Sequence, residues 1–239
     1  MGVPEKVDLS LIPSIHGPND PEWALVASTL DIEAAASLIC DNLLDLSHAP
    51  YVHGNSFGAG DPKALKTLIA GESTTQVTKL PRGVHIERWH VGRPSNPYTG
   101  PMMSDDYVVN DFIAPGIFTL KTTSYKPGIL DRCNGHAPNE TPLLARYTCQ
   151  MITPVTEKKS KFFFAFGPWA NASESKQQFF NVANTAFQED KAIIELQQAM
   201  INRSAGRPMM ALGMDVPLAR FQSVLKHLLE EDQQILESA

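Results

Sequence analysis

One short run of the sequence concentrates the side chains that could hold a metal ion. Between Asp41 and His53 the chain reads DNLLDLSHAPYVH, with histidines at positions 48 and 53. Two imidazoles and one carboxylate bind a metal and leave positions open for small molecules. On an ideal helix, five residues separate two side chains by roughly 140°, so His48 and His53 do not share a face. If the helix ends near Pro50, His53 lies on the next turn and can fold back towards His48.

A carboxylate close to the two histidines could support one of them. Asp45 lies one helical turn before His48, where it could accept a hydrogen bond from the imidazole nitrogen that faces away from a metal. Spacing alone favours a simpler explanation, two polar residues at a helix end, and the carboxylate ligand would have to come from elsewhere. The same spacing recurs at His85 and His90, but that segment reads as a strand, where an odd separation points the two rings to opposite faces.

The elements around this run follow in the order helix, sheet, and two further helices. Alanine and leucine at helical spacing predict a helix over Asp31–His48, after a proline-containing lead-in at residues 1–30. Short segments rich in β-branched and aromatic residues predict an antiparallel sheet of six strands, at Thr75–Leu80, Gly83–His90, Tyr107–Ala114, Gly116–Tyr125, Ala145–Thr153 and Lys161–Phe166. Helical periodicity returns over Ser173–Ala199, with Ser173 as its N-cap, and over Pro217–Leu236. This order predicts an α+β fold.

The composition argues against a nucleic-acid or membrane partner. The net charge is −6, and the chain has no run of lysines or arginines that would neutralise phosphates. The longest apolar stretches, such as Lys161–Trp169, are well short of the roughly 20 residues that a membrane span needs. The N-terminus lacks the charged start and apolar core of a signal peptide. We therefore expect a cytoplasmic protein.

The run DNLLDLSHAPYVH resembles the iron-binding motif of the Rieske non-haem iron oxygenases, in their vanillate O-demethylase oxygenase branch. In that family, two histidines with four residues between them and a distant aspartate bind one Fe(II). The aspartate lies in a C-terminal helix, in a segment that Phe187–Glu195 (FQEDKAIIE) matches. The resemblance, which covers nearly the whole chain, therefore implies His48, His53 and Asp190 as the iron ligands.

The resemblance also implies a helix-grip fold, in which a curved antiparallel sheet wraps around a long C-terminal helix. Residues 31–239 would form the mononuclear iron catalytic domain, and residues 1–30 would be the remnant of a linker. The iron would lie at one end of the pocket between sheet and helix. Several aromatic side chains are candidates for the pocket lining, although core packing is the simpler expectation for each of them: Phe112, Phe164, Phe166, Trp169 and Phe187.

The implied reaction depends on partners. Dioxygen would be activated at Fe(II), and one oxygen atom would enter an aromatic, methoxybenzoate-like compound by hydroxylation or oxidative O-demethylation. In the family, electrons from NAD(P)H pass through a reductase and a Rieske [2Fe–2S] cluster, and then between neighbouring subunits of a homotrimer. The residue that matches Asp45 bridges a cluster histidine of one subunit and an iron-ligand histidine of the next, so the resemblance gives Asp45 a catalytic role.

The cysteines do not provide the Rieske cluster that this reaction needs. Cys133 and His136 have the spacing of one half of such a site, but the other half needs a Cys-x-His upstream. No cysteine lies between Cys40 and Cys133. We therefore expect a catalytic domain without its Rieske domain, inactive until another polypeptide or domain supplies electrons.

Two other classes of function remain open from the sequence. Helix-grip domains commonly enclose apolar small molecules, so a chain without an electron source could be a non-catalytic binding module. The same three ligands could instead hold zinc in a hydrolytic enzyme. The combination of a complete ligand set with Asp45 favours the oxygenase, because a pure binder needs none of these four residues.

Overall fold

A seven-stranded antiparallel sheet forms the centre of the structure. The computed structural model describes residues 8–45, 47–54, 56, 73–93, 103–172, 175–204, 213 and 215–237. The strands are β1 (Val26–Ile32), β2 (Ser73–Leu80), β3 (Gly83–Arg93), β4 (Ser104–Ile113), β5 (Ile117–Tyr125), β6 (Leu144–Thr156) and β7 (Lys159–Pro168). Their order in the sheet is β1-β7-β6-β5-β4-β3-β2. Consecutive strands from β2 to β7 are therefore neighbours, and β1 pairs with β7 at the edge.

Two long α-helices and three short ones accompany the sheet in the described part of the chain, together with one 3-10 turn at Leu9–Leu11. The helices are α1 (Ala36–Leu44), α2 (Ala49–Val52), α3 (Ile129–Arg132), α4 (Lys176–Arg203) and α5 (Val216–Glu237). The N-cap of α4 is Ser175, whose side chain forms a capping box with Gln178. The N-cap that we predicted, Ser173, lies outside the described residues. None of the described helices combines the length and apolarity needed to cross a bilayer.

Aromatic side chains join the long helices to one face of the sheet. On α4, Phe187 packs against Phe164 and Phe162, with ring centroids 4.5 and 5.4 Å apart. On α5, Phe221 packs edge-on against Phe112 at 4.5 Å. The predicted α+β, helix-grip fold is therefore confirmed. The expectation that the aromatic side chains pack in the core is also confirmed, with Phe112, Phe164, Phe166 and Phe187 buried and Trp169 packed against them.

Strand β1 was not predicted from the sequence. Val26–Ile32 pairs with β7 along its whole length, from Val26 opposite Phe166 to Ile32 opposite Ser160. Only the last residue of β1 is buried, and the other positions alternate between half-buried and exposed. Because this pattern lacks a buried apolar face, it gives a weak strand signal. The strand crosses residue 30, the predicted boundary between lead-in and catalytic domain, and that division stays a prediction.

The single helix predicted over Asp31–His48 is wrong. Asp31 and Ile32 belong to β1, and α1 ends at Leu44, after which Asp45 takes an extended conformation with φ −78° and ψ 96°. Pro50 does not end a helix but lies in the first turn of α2. Its fixed φ suits that position, and its missing N–H would have had no helical partner there.

The carboxyl group of Asp41 makes the α1–α5 contact sensitive to pH. Burial raises the pKa of Asp41 to about 6, Gln222 on α5 opposes this by hydrogen bonding, and the charge of Asp215 adds to it. Because the pKa of Asp41 is higher in the folded than in the unfolded state, the folded protein keeps the Asp41 carboxyl protonated up to a higher pH. The contribution of Asp41 to stability is therefore complete below about pH 4 and is lost as the pH rises through 6.

We expect Asp41→Asn to stabilise the protein at neutral pH and not at pH 4. The native free energy of unfolding should be lower than that of the variant by about 1 kcal/mol at pH 7.5, after allowance for the partial exposure of the carboxyl group. Urea unfolding of both proteins at pH 4.5, 6 and 7.5 would measure this difference. An equal difference at all three pH values would contradict the assignment.

Candidate metal centre

Helices α2 and α4 bring His48, His53 and Asp190 together. His48 is the N-cap of α2 and His53 is its C-cap, so the two histidines flank one short helix. Asp190 lies in the middle of α4, which packs against both α1 and α2. The histidines therefore converge because a separate helical turn reverses the chain between them.

The three side chains offer ligand atoms at nearly equal separations. The Nε2 atoms of His48 and His53 are 3.3 Å apart. The Oδ1 atom of Asp190 is 3.5 Å from Nε2 of His48 and 3.4 Å from Nε2 of His53. In the part of the chain that the structure describes, no other group of three histidine, cysteine or acidic side chains is close enough to share a metal ion.

Both histidines direct a nitrogen lone pair towards this centre. Nδ1 of His48 is 2.5 Å from the backbone carbonyl oxygen of Asp45, which can only accept, so Nδ1 carries the proton. Nδ1 of His53 is likewise 3.1 Å from Oε2 of Glu189. A neutral imidazole that donates from Nδ1 has an unprotonated Nε2. Two nitrogen lone pairs and a carboxylate oxygen therefore face one another, an arrangement that a cation satisfies.

The carboxyl group of Asp190 lies in a buried environment, with 8% of the residue exposed. Burial raises the pKa of Asp190, while His53, His48 and a hydrogen bond from Asn42 lower it, and the charge of Glu189 raises it. Nδ2 of Asn42 donates to Oδ1 at 3.3 Å. A metal ion would supply the positive charge that stabilises the ionised carboxylate in this setting.

This donor set fits a mononuclear iron ion. Three atoms 3.3 to 3.5 Å apart share a central point about 2 Å from each, which is the range of metal–nitrogen and metal–oxygen bonds. Two imidazoles and one carboxylate on the same side of a metal are the ligands of non-haem Fe(II) oxygenases. His48, His53 and Asp190 would hold the ion, with Asn42 and Glu189 orienting two of them.

The structure places Asp45 differently from the sequence expectation. Asp45 is the C-cap of α1 and does not share a helix with His48. Its backbone carbonyl, not its carboxylate, accepts from His48; the nearest carboxylate oxygen is 3.9 Å from Nδ1. The other carboxylate oxygen accepts from the backbone and side chain of Ser47. The carboxylate is 33% exposed, so it remains accessible from outside the metal centre.

Glu189 and Asn42 were not predicted as site residues from the sequence. Oε2 of Glu189 accepts from Nδ1 of His53 at 3.1 Å and from the hydroxyl of Ser56 at 2.7 Å. Glu189 directly precedes Asp190, and this adjacency was the available signal, because neighbouring helical residues can support one site from two directions. Asn42 lies near the end of α1 and gave no signal of its own.

We expect Glu189→Gln to weaken Fe(II) binding by about 10- to 100-fold. The amide can still hydrogen-bond to His53, but it no longer provides the negative charge that raises the basicity of the imidazole and fixes its tautomer. Competition with a chelator of known affinity would measure the change. Gln188→Asn, on the neighbouring position of α4, is the control and should bind as the native protein does; equal affinity of both variants would contradict the role of Glu189.

The fold and the site together define a helix-grip domain with two histidines and one carboxylate arranged to bind a metal. The family model of the vanillate O-demethylase oxygenase C-terminal domain matches residues 32–231. The chain therefore belongs to this family of Rieske-type oxygenase domains.

Individual relatives share modest identity but long coverage. The toluene-4-sulfonate monooxygenase system iron-sulfur subunit TsaM1 of Comamonas testosteroni is 25% identical over 97% of this chain and 67% of its own length. The vanillate O-demethylase oxygenase subunit of Pseudomonas sp. (strain ATCC 19151) is 23% identical over 95% of this chain and 69% of its own length. The chain thus spans about two thirds of the length of these relatives.

Solved structures show the same fold. The crystal structure of dicamba monooxygenase bound to dicamba matches all of this chain and 66% of that chain, with a TM-score of 0.71 and 19% identity. Caffeine-bound NdmA from Pseudomonas putida CBB5 matches 96% of this chain and 59% of that chain, with a TM-score of 0.60 and 17% identity.

Proposed function

We propose that this chain is the catalytic domain, over residues 31–239, of a Rieske-type monooxygenase that hydroxylates or oxidatively O-demethylates an aromatic, methoxybenzoate-like compound. The observation that carries the proposal is the convergence of two imidazole lone pairs and the Asp190 carboxylate within 3.5 Å of one another. Family membership supports iron as the metal, since relatives include oxygenase subunits that act on vanillate and toluene-4-sulfonate. A hydrolytic zinc site has no comparable support.

The residues of this chain would divide the work between holding the metal and shaping its surroundings. His48, His53 and Asp190 would bind Fe(II), and the bound ion would supply the one-electron chemistry that activates dioxygen. The carbonyl of Asp45 and the carboxylate of Glu189 keep a proton on each Nδ1, so that each Nε2 stays a ligand. The buried aromatic side chains beneath α4 would keep water from the substrate side of the ion.

Asp45 would connect the metal centre to an electron donor. Its carboxylate is partly exposed and lies 3.9 Å from the His48 imidazole, whose other nitrogen belongs to the proposed iron site. A donor histidine that reached this carboxylate would be linked to His48 through one residue. A Rieske [2Fe–2S] donor, an NAD(P)H-dependent reductase, a homotrimer and a cytoplasmic location belong to the same proposal.

A reconstituted assay tests the proposed reaction. The Fe(II)-loaded chain would be incubated with 4-methoxybenzoate, NADH, a Rieske-type donor and its reductase, and formaldehyde would be measured in air and under nitrogen. Oxygen-dependent formaldehyde, in proportion to NADH consumed, is the expected result. Its absence with donors of several types, while 4-methoxybenzoate still binds, would overturn the oxygenase and leave the non-catalytic small-molecule-binding module.

A further inference from the structure

A cluster of three arginines lies at one end of the sheet face that the helices cover. Side chains two apart on a strand share a face. Arg88 therefore faces the same way as the buried Ile86 on β3, and Arg146 faces the same way as the buried Thr148 on β6. The arginine cluster is defined as Arg88, Arg93 and Arg146.

A β-bulge turns Arg93 onto this face. The register between β3 and β4 shifts between His90 and Arg93, at Gly92, whose φ of 63° suits a residue without a Cβ. The backbone N–H of Gly92 donates to Oδ1 of Asp105 at 2.8 Å. The other oxygen of this fully buried carboxylate accepts from the backbone of Gly128 at 2.6 Å. The bulge that directs Arg93 is thus fixed from both sides.

One buried carboxylate draws two of the arginines together. Oδ2 of Asp106 is 3.5 Å from Nη2 of Arg146 and 3.7 Å from Nε of Arg93. The Nε atom of Arg93 is buried and has no hydrogen-bond partner among the residues that the structure describes, since 3.7 Å is too long for such a bond with Asp106. A quarter of the Arg93 side chain remains exposed, so that an incoming group can reach it.

The charges around the cluster repel one another. Burial lowers the pKa of Arg93, Asp106 opposes this, and Arg146 lowers it further. Burial and Arg93 also lower the pKa of Arg88, which the charge of Asp45 raises. Burial, Arg93 and Arg88 lower the pKa of His90 to about 2, so this imidazole is neutral and adds no charge. An anion entering the cluster would relieve repulsion among the guanidinium groups.

The arginine cluster shares its sheet face with phenylalanines that pack against α4, the helix that carries Asp190. Thr148, two residues after Arg146 on the same face of β6, pairs with Phe166 on β7. Phe164, two residues before Phe166, packs against Phe187 of α4. Phe187 is three residues, about one helical turn, before Asp190. The charge of Asp45 acts on Arg88, so Arg88 lies on the side of the cluster nearest Asp45.

We propose that the arginine cluster is a specificity-determining site that binds the acid group of an aromatic substrate, with Arg93 as its central donor and Arg146 held by Asp106. A carboxylate or a sulfonate would accept hydrogen bonds from the planar guanidinium groups, while the ring lies towards Phe166 and Phe164. This inference rests on the proposed function for the aromatic nature of the substrate. Anion binding itself needs neither iron nor an electron donor.

Calorimetric titration of the full chain with three matched probes tests this site. The probes are 4-methoxybenzoate, 4-methoxybenzenesulfonate and the neutral 4-methoxybenzamide. We expect at least one of the two anions to bind the native chain about tenfold or more tightly than the amide. The anion that binds more tightly identifies whether the site suits a carboxylate or a sulfonate.

Arg93→Gln should remove this preference, with a loss on the order of tenfold for the anion and no change for the amide. Arg132→Gln, which removes an exposed arginine paired with Glu140, is the control and should bind as the native chain does. Arg88→Gln gives the same test if Arg93→Gln does not fold by circular dichroism.

Equal affinity of the native chain for the anions and the amide would overturn the site, as would an unchanged anion preference in both Arg93→Gln and Arg88→Gln. Tight anion binding without any formaldehyde production would leave the site standing and contradict the proposed oxygenase instead.

Discussion

Replacing Asp45 by asparagine is expected to stop turnover while iron stays bound. The backbone carbonyl of Asp45, which the substitution preserves, accepts the His48 Nδ1–H, so the imidazole of His48 keeps its tautomer. The carboxylate, which the substitution removes, is the group that we propose links His48 to an electron donor. Formaldehyde production with donor and reductase should therefore fall by about two orders of magnitude or more, at unchanged iron content.

The matched control for this experiment is Asp41→Asn, the same substitution four residues earlier on α1. Asp41 contacts α5 through Gln222 and lies outside the proposed ligand set, so turnover should persist. Full turnover by Asp45→Asn would refute the electron-transfer role. Loss of iron from Asp45→Asn would instead show that the carboxylate supports the ligands.

Replacing Asp190 by alanine is expected to abolish the stabilisation of the protein by Fe(II). A metal that binds only the folded state at 100 times its dissociation constant stabilises that state by about 2.7 kcal/mol. For a chain of this size, such a gain raises the melting temperature by roughly 5–10 °C. Anaerobic thermal unfolding with and without Fe(II) should show this rise in the native chain and none in Asp190→Ala, which lacks the negatively charged ligand.

Glu195→Ala serves as the control on the same helix. Glu195 lies five residues, about one and a half helical turns, beyond Asp190 and pairs with Lys191, so its loss removes a carboxylate from α4 without touching the histidines. Its melting temperature should rise with Fe(II) as in the native chain. An undiminished rise in Asp190→Ala would mean that Asp190 is not a ligand.

The sequence predicted the central sheet because its strands have clear local signals. Six strands were expected, and the described strand Gly83–Arg93 extends the expected Gly83–His90 by only three residues, across a bulge that periodicity does not reveal. The expectation that His85 and His90 face opposite ways is also confirmed. His85 contacts Asp111, whereas His90 lies beside Arg88 and Arg93 on the helix side. Strand β1 escaped detection because pairing with β7, not its own pattern, makes it a strand.

The candidate site was predictable only in part from the residues. A helix end near Pro50 was the condition under which His48 and His53 could converge, since five-residue spacing alone separates them on a helix. No local rule connects them to Asp190, 137 residues after His53; the resemblance supplied that ligand. The contact of Asp45 with His48 depends on the extended backbone at the end of α1, so that the carbonyl of Asp45, and not the expected carboxylate, accepts from His48. The arginine cluster depends on strand register and on one bulge, neither of which is visible in the sequence.

The most direct test of the central claim is the iron content of the anaerobically purified chain after Fe(II) reconstitution, measured by elemental analysis. The native chain should retain about one iron per chain, and His48→Ala should retain none. His85→Ala, which removes a histidine paired with Asp111 on the sheet, should retain as much as the native chain. Equal iron in the native chain and His48→Ala, or none in either, would contradict an iron centre at His48, His53 and Asp190.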